Sequence, residues 1–318
     1  MRHTHAILLA CAATAVAGRA QHDTARGKDQ PMFVAPASSE GRDQIQQFKL
    51  AKDLVCDLVA AEPDLCNVVA FHIDAKGRLF VAETFRINDG VFDTRSYMQW
   101  KDEDLALRTV PERVAKYHKH IAKDLPKYAG YSERVRLLVD TNRDGVYDRS
   151  TVFADGFTDL ADGIASGVLA VGEDVYFTNI PKLWRLRDRN GDGVADERTV
   201  LHDGYGVHTS LIGHDLHGLC LGPDRRLYFS IGDRGLHVVQ GERTFDLPHE
   251  GAVLRCELDG SQLEVVHRGL RNPQELAFDH FGDLFTGDNN SDGGDRARFV
   301  QILLGAGSGW RITCRAHL

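Results

Sequence analysis

Hydrophobic and polar residues alternate in short bursts along most of this chain, and the bursts come in pairs. Residues 68–83 read VVAFHIDAKGRLFVAE, 167–179 GVLAVGEDVYFTN, 217–233 HGLCLGPDRRLYFSIGD and 275–288 ELAFDHFGDLFTGD. Alternation over a few residues rich in Tyr, Phe, Ile and Val signals a half-buried strand, and a Gly/Asp/Pro turn between two such runs signals a hairpin. In the third copy Pro223 pre-sets φ and Asp224 can bond its own backbone. Further strands are expected at 135–139, 183–187 and 252–258. The last three copies recur at roughly fifty residues, a period typical of propeller blades, and four short strands per unit fit a blade. A β-sandwich also has many short strands, but it does not predict the repeat. The expected fold is therefore all-β, a β-propeller with about four blades.

One stretch breaks the pattern. In residues 97–127 the apolar positions Leu105, Val110, Val114, Tyr117 and Ile121 are spaced for a helix. Thr109-Val110-Pro111-Glu112 supplies a start signal, with Pro near the first turn and an acid beside it. The expectation is a helical insertion in the first blade, over one propeller face, serving as a lid or docking surface or as ornament.

At the start of the chain, Arg2 and His3 precede an apolar run from Ala6 to Ala17, and Ala15-Val16-Ala17 offers a cleavage site. Residues 1–20 thus read as an export signal, 21–45 as a polar, flexible leader and 46–318 as the partial propeller. Leu8-Leu9-Ala10-Cys11 resembles a lipoprotein box, so the localisation expected is periplasmic or secreted, with lipid anchoring as a variant. No segment after the signal is apolar enough to span a membrane.

Composition narrows the partners. The formal net charge is −8, without a basic stripe, which argues against nucleic acid. A chain of 318 residues, 42% hydrophobic, can bury a sizeable core. After signal removal, Cys56 with Cys66 and Cys220 with Cys256 are candidate disulfides, leaving Cys314 odd, and free buried thiols are the alternative. The absence of a Cys-x-x-Cys-His run excludes covalent c-type haem on this chain.

Two loops carry a calcium-like spacing. Asp140, Asn142, Asp144 and Asp148, with Gly145, repeat as Asp188, Asn190, Asp192 and Asp196, with Gly193. Alternate oxygen side chains of this kind converge on a hard cation. Thr151 and Thr199 stand where an EF-hand has its bidentate Glu, and Asp-Gly turns join strands without metal too. A structural calcium role is the expectation beside that plain one.

The chemistry-bearing residues precede two of the hairpins. His208, His214, Asp215 and His217 lead into the third, and Arg271-Asn272-Pro273-Gln274 into the fourth. In a propeller such loops converge on one end of the channel. A neutral imidazole accepts a proton near physiological pH, and a fixed arginine stabilises developing negative charge. Zinc held by the three histidines is a rival reading, as is a purely structural role in the loop backbone.

Arg271-Asn272-Pro273-Gln274 before Leu-Ala-Phe, a Gly-x-Leu strand, an Asn-rich loop and Gly307-Ser308-Gly309-Trp310 resemble soluble PQQ-dependent glucose dehydrogenase and its aldose sugar dehydrogenase relatives. More widely, Ala60-Ala61-Glu62-Pro63, Val81-Ala82-Glu83-Thr84, the region at Arg108-Thr109-Val110 and Phe153-Ala154-Asp155-Gly156 resemble a large group of exported bacterial proteins known as membrane-bound dehydrogenases. The first resemblance implies PQQ and calcium as cofactors and a six-bladed fold. It places His214 as general base, with His217 as the other candidate, and Arg271 as electrostatic stabiliser. Asn272, Gln274 and Asp215 become cofactor contacts, and the loop at Asn290 and Ser291 supplies calcium ligands. It also implies a sugar or alcohol substrate and an electron acceptor, for example a cytochrome c on another chain.

Asp288-Asn289-Asn290-Ser291 departs from the Gly-Pro loop of that family, and its later cofactor-binding lysine and arginines have no counterpart. With about four hairpin copies where six blades are implied, the expectation is a truncated product, whose N-terminal strand at 54–60 lacks a partner and whose catalytic competence is in question. Two other readings share the fold: a non-catalytic propeller binding carbohydrate or protein, and a metal-dependent hydrolase of lactonase type.

Overall fold

The structure is a computed structural model that describes residues 32–87, 90–209, 212–291 and 294–312. The export signal, the lipoprotein box and Cys314 lie outside the described residues. Within the stretch read as leader, a short helix α1 forms at Glu40–Ile45.

The strands assort into four successive antiparallel sheets. The first holds β1 (Val68–Ile73), β2 (Leu79–Glu83), β3 (Glu133–Val139) and β4 (Arg149–Phe157), in that order. The second holds β5 (Gly167–Val171), β6 (Asp174–Asn179), β7 (Lys182–Arg187) and β8 (Glu197–Asp203). In the third, β9 (Leu216–Leu221) and β10 (Leu227–Ile231) continue, past a hairpin of β11 (Leu236–Gln240) and β12 (Arg243–Leu247), into β13 (Gly251–Cys256) and β14 (Glu264–Leu270). The fourth is β15 (Pro273–Phe278), β16 (Leu284–Asp288) and β17 (Arg298–Ile302), after which β18 (Ala306–Gly307) returns to pair parallel with β14. First strands pack on first strands, β1 on β5, β5 on β9 and β9 on β15, which makes this a four-blade β-propeller arrangement. The four expected hairpins are the first two strands of the four blades.

Strand alternation explains why the blades stack. Phe80 and Ala82 face the second blade, where Val168, Ala170, Val175 and Phe177 meet them. The next residue over, Tyr176, points the other way, into a core shared with Leu227, Phe229 and Ile231 of the third blade. Tyr228 in turn faces Leu276 and Leu284 of the fourth. Each middle sheet is thus buried on both faces by side chains of period two. The outer face of the first blade, Leu79, Val81 and Leu138, is covered by Ala60 and Leu65. The segment 54–60, expected as a strand, is not one. It runs along the first blade as irregular chain, with the Val59 carbonyl accepting the Tyr147 amide at 3.0 Å.

The insertion forms as helices between β2 and β3: α2 (Lys101–Ala106), α3 (Val110–Ile121) and α4 (Leu125–Tyr128). Thr109 and Glu112 complete a capping box at the start of α3, satisfying amides that the first turn leaves without partners. Thr109→Ala is expected to cost about 1 kcal/mol of stability, read as a shift in urea midpoint with unchanged slope. The buried stripe of α3 differs from the expected one. Val110 and Tyr117 are buried, but so are Arg113 and Lys116, while Val114 and Ile121 are only partly covered. Polar partners on the propeller, rather than apolar ones, decide that face.

Cys56, Cys66, Cys220 and Cys256 are free thiols. Cys220 lies on the side of its sheet facing the fourth blade and Cys256 on the side facing the second, so the expected pair is separated by the sheet itself. Among the described residues no helix is long and apolar enough to cross a membrane.

Candidate active site

In sheets visited in sequence order, the connections leading into first strands and those leaving second strands lie at one end, and the turns after first and third strands at the other. His214 and Asp215 lead into β9, Arg271 and Asn272 lead into β15, Asp288 ends β16, and Asp233 follows the end of β10 by two residues. All of them therefore share one end, together with the insertion that follows β2. The acidic loops at Asp140 and Asp188 follow third strands and lie at the opposite end.

A recurring device organises this end. At the end of the second strand, or two residues past it in the third blade, stand Glu83, Asn179, Asp233 and Asp288, each almost fully buried. Each side chain reaches back to the lead-in of its own first strand. Glu83 accepts the Cys66 amide at 2.8 Å, Asn179 donates to the Gly163 carbonyl at 3.0 Å, and Asp288 accepts the amides of Arg271 and Asn272 at 3.0 and 2.8 Å. Buried polar groups need such partners, so the position is a tether within each blade. In the third blade the partner is a side chain instead. Asp233 accepts from His214 Nδ1 at 2.7 Å.

An ionised carboxylate can only accept, so that bond places a proton on Nδ1, and in the neutral ring Nε2 then carries the lone pair. The other carboxylate oxygen of Asp233 accepts the Trp310 indole N–H at 3.0 Å, and its backbone amide donates to the Arg271 carbonyl at 2.7 Å. The Arg271 guanidinium lies 5.7 Å from the centre of the Trp310 ring. His214, Asp233, Trp310 and Arg271 thus form one connected constellation, buried except at the half-buried Trp310. Gly232 makes it possible, since a Cβ there would sit 2.8 Å from the His214 carbonyl oxygen.

The other sequence candidates have different surroundings. His217 is fully buried in β9, and its Nε2 donates to the Gly213 carbonyl at 2.9 Å. Burial holds its pKa below the ordinary histidine value, so the ring stays neutral and anchors the turn before His214. Gln274, which is exposed, also donates to the Gly213 carbonyl, at 3.3 Å. Asp215 pairs with Arg234 at 2.5 Å, and its second oxygen has no partner among the described residues. His208 donates from Nδ1 to the Asp104 carbonyl at 2.6 Å and meets His249 at 3.0 Å through Nε2. His208, His214 and His217 therefore do not share a ligand sphere, as the zinc reading requires.

The metal candidates are engaged with their own loops. Asp140 accepts the amides of Arg143 and Gly145 at 2.6 and 2.8 Å, and Asp148 takes the amide and hydroxyl of Thr141 at 3.0 and 2.7 Å. In the second loop Asp188 caps Gly191 and Gly193, at 2.7 and 2.8 Å. Asn142 and Asp144 cap within the first loop, and Asn190, Asp192 and Asp196 within the second. Asn290 donates to the Asp295 carbonyl at 3.3 Å and the Ser291 amide to the Asp295 carboxylate at 2.9 Å. Among the described residues no group of three or more His, Cys, Asp or Glu side chains is placed to hold a metal ion.

Residues 40–302 match the family described as domain of unknown function (DUF7133). The chain belongs to this family. No curated protein matches it. Among solved structures, this DUF7133 chain is similar to the PQQ-bound form of an aldose sugar dehydrogenase from Streptomyces coelicolor, at 17% identity over 77% of this chain and 63% of that one, TM-score 0.48. It is also similar to a glucose dehydrogenase-type oxidoreductase from Thermus thermophilus, at 20% identity over 78% and 65% of the two chains, TM-score 0.46. A third is the holo PQQ domain of pyranose dehydrogenase from Coprinopsis cinerea, at 12% identity over 76% and 49%, TM-score 0.39. The chain spans less than two thirds of the length of each of these structures.

For a quinone cofactor the residues present fit one part of the molecule. Buried Arg271 offers guanidinium N–H donors of the kind a quinone carbonyl oxygen accepts. Buried Asn272 has its amide oxygen without a partner among the described residues, and that atom calls for a donor, so toward a quinone carbonyl only its NH₂ could serve. The carboxylates of PQQ would need cations, and Arg234, Arg298, Arg311 and Lys116 are committed to Asp215, Asp288, Glu250 and Asp104. Among the described residues the fit therefore extends to the quinone end alone. The sequence reading gives no site role to Asp233, Asp288 or Trp310, although Asp288 and Trp310 stand in motifs it quotes. The signal for the two acids is the repeated Gly-Asp that closes two of the hairpins, and for the indole the Gly-Ser-Gly-Trp run.

Proposed function

We propose that this propeller belongs to an oxidoreductase that oxidises a hydroxyl of a sugar or alcohol, with His214 as the base. The observation that carries the reading is the bond from His214 Nδ1 to Asp233 Oδ1, 2.7 Å long between two buried side chains. A carboxylate behind an imidazole fixes its tautomer and orientation and stabilises the imidazolium formed when Nε2 takes a proton. The proton removed would be that of the substrate hydroxyl. Arg271, held over the Trp310 ring, supplies fixed positive charge beside it, where negative charge develops on oxygen. Bound PQQ would supply the hydride acceptor, with Arg271 and Asn272 as the residues that contact its carbonyl side. No step is assigned to calcium. In this reading the chain is exported, and its electrons pass to an acceptor such as a cytochrome c on another chain.

The test is reconstitution of the full chain with PQQ, with and without calcium, followed by dye-linked oxidation of a panel of aldoses and simple alcohols. A bound-quinone absorption spectrum and substrate-dependent dye reduction are expected. Absence of both, in protein whose circular dichroism shows a folded β structure, rejects the oxidoreductase reading and leaves a binding propeller or a hydrolase on the same fold.

A further inference from the structure

The helical insertion touches the chain that leads to His214 at several successive points. The Thr209 amide donates to the Asp104 carboxylate at 3.0 Å, and His208 Nδ1 donates to the Asp104 carbonyl at 2.6 Å. Lys116 pairs with Asp104 and donates to the Thr209 hydroxyl at 2.7 Å, and Tyr117 meets that hydroxyl at 3.0 Å. Farther along, the Ile212 amide donates to Asp93 at 3.4 Å. Asp104, Lys116, Tyr117, His208 and Thr209 are all buried. Burial opposes ionisation of Asp104, but Lys116 and His208 override it and hold its carboxyl below the usual range. On its other side the same lead-in is fixed by the propeller, where Arg234 Nε donates to the His208 carbonyl at 3.0 Å. His208 and Thr209 of the lead-in are therefore gripped between α2–α3 and the third blade.

The geometry points to Asp104 and Lys116 as positioning residues for His214, and so to the insertion as a clamp on the base rather than a mobile cover. This inference rests on the reading of His214 as the base. The physical reason is that the Thr209 amide is buried and obtains its acceptor from the insertion, not from its own blade. If Lys116 loses its charge, Asp104 becomes an uncompensated buried carboxylate and the grip opens. A small displacement of a base from its reacting geometry is costly, about a hundredfold in rate for roughly 1 Å.

The experiment uses the full chain and three variants: Lys116→Met, Thr209→Val, and the double variant Asp104→Asn/Lys116→Met. Three quantities are read: amide hydrogen exchange at Thr209 and Ile212, the ¹⁵N signals of the His214 ring, and kcat and KM after reconstitution. Lys116→Met is expected to raise exchange at both amides roughly tenfold or more while core strands keep their protection. The His214 nitrogens should move from a single tautomer toward a mixture, and kcat should fall by about 10- to 100-fold with KM within about threefold. The double variant is expected to recover protection and tautomer, because the carboxamide oxygen introduced by Asp104→Asn still accepts the Thr209 amide and no lone charge remains buried. Unchanged exchange and unchanged His214 signals in folded Lys116→Met overturn the proposal. Should that variant not fold, the same criteria apply to Thr209→Val, which removes only the hydroxyl contact. Exchange and ring signals need no turnover, so a wild-type chain without dehydrogenase activity rejects the proposed function while the clamp is still decided.

Discussion

Replacing His214 by alanine is expected to lower kcat of the reconstituted chain by about 10²- to 10⁴-fold, the usual range for loss of a general base, with secondary structure and quinone binding retained. Asp233→Asn is the sharper variant. The carboxylate serves two donors, His214 Nδ1–H and the Trp310 indole. An amide has one oxygen for two donors, so its NH₂ must face one of them. Where it faces the imidazole, the proton moves to Nε2 and the ring can no longer accept from a substrate. A loss comparable to that of His214→Ala is therefore expected, by up to about 10⁴-fold, and the double variant should add little to either single one. Trp310→Phe removes one donor and is expected to cost less. Full turnover in His214→Ala would dismiss this residue as the base. Independent, multiplying losses in the double variant would dismiss the dyad as a unit.

Acid is expected to weaken the fold as pH falls below about 6.5, before most of the carboxylates are titrated. Burial holds His72, His202, His208, His217 and His267 below the ordinary histidine value, and burial together with His208, Arg108 and Arg311 takes His249 down to about 4. As pH falls below about 6.5, the unfolded chain takes up protons that the folded chain refuses, so this stability is present above pH 6.5 and is lost on acidification. Buried carboxyls pull the other way. Desolvation raises Glu133 to about 7 and Asp162 to about 6, so each makes the folded state gain stability as pH falls through that value. Each net proton is worth about 1.4 kcal/mol per pH unit. His72, His249 and His267 are partly solvated and count for less. Burial raises Asp203 and Glu275 as well, so six imidazoles stand against four carboxyls, and a net loss of stability is expected between pH 6.5 and 5. Urea midpoints at pH 7, 6 and 5 measure it, and a midpoint that rises on acidification would mean that the carboxyls dominate.

Much of the fold was legible because its periodicity is local. The Gly/Asp turns and alternating runs marked all four hairpins, and Thr109 with Glu112 marked the start of α3. Strand β10, LYFSI, is buried at every position, which no one-sided alternation predicts, because a middle blade has a neighbour on each face. The insertion was legible as helix but not as to its buried side. Arg113 and Lys116 read as solvent-facing charges, and only the distant Ala161 carbonyl, Asp104 and Thr209 explain why they are buried. In the same way His214 and Arg271 stood out by residue type. Their partners Asp233 and Asp288 looked like turn residues, since nothing local distinguishes a carboxylate that caps its own loop, as Asp140 does, from one that reaches across a blade.

The seam where each second strand reaches back to its lead-in has a consequence for where new chemistry can arise. In three of the four blades the lead-in meets that seam through its backbone, at Glu83, Asn179 and Asp288, the two acids also pairing with Arg136 and Arg298. One carries an imidazole there instead, and the acid that served as a fastener becomes half of a reactive pair without any change of topology. The remaining seams are sockets of the same kind. A histidine grafted at Cys66, whose amide already rests on Glu83, would set an imidazole beside a buried acid in a different sheet. In such a scaffold, gaining a reactive centre is a matter of one side chain rather than a new fold.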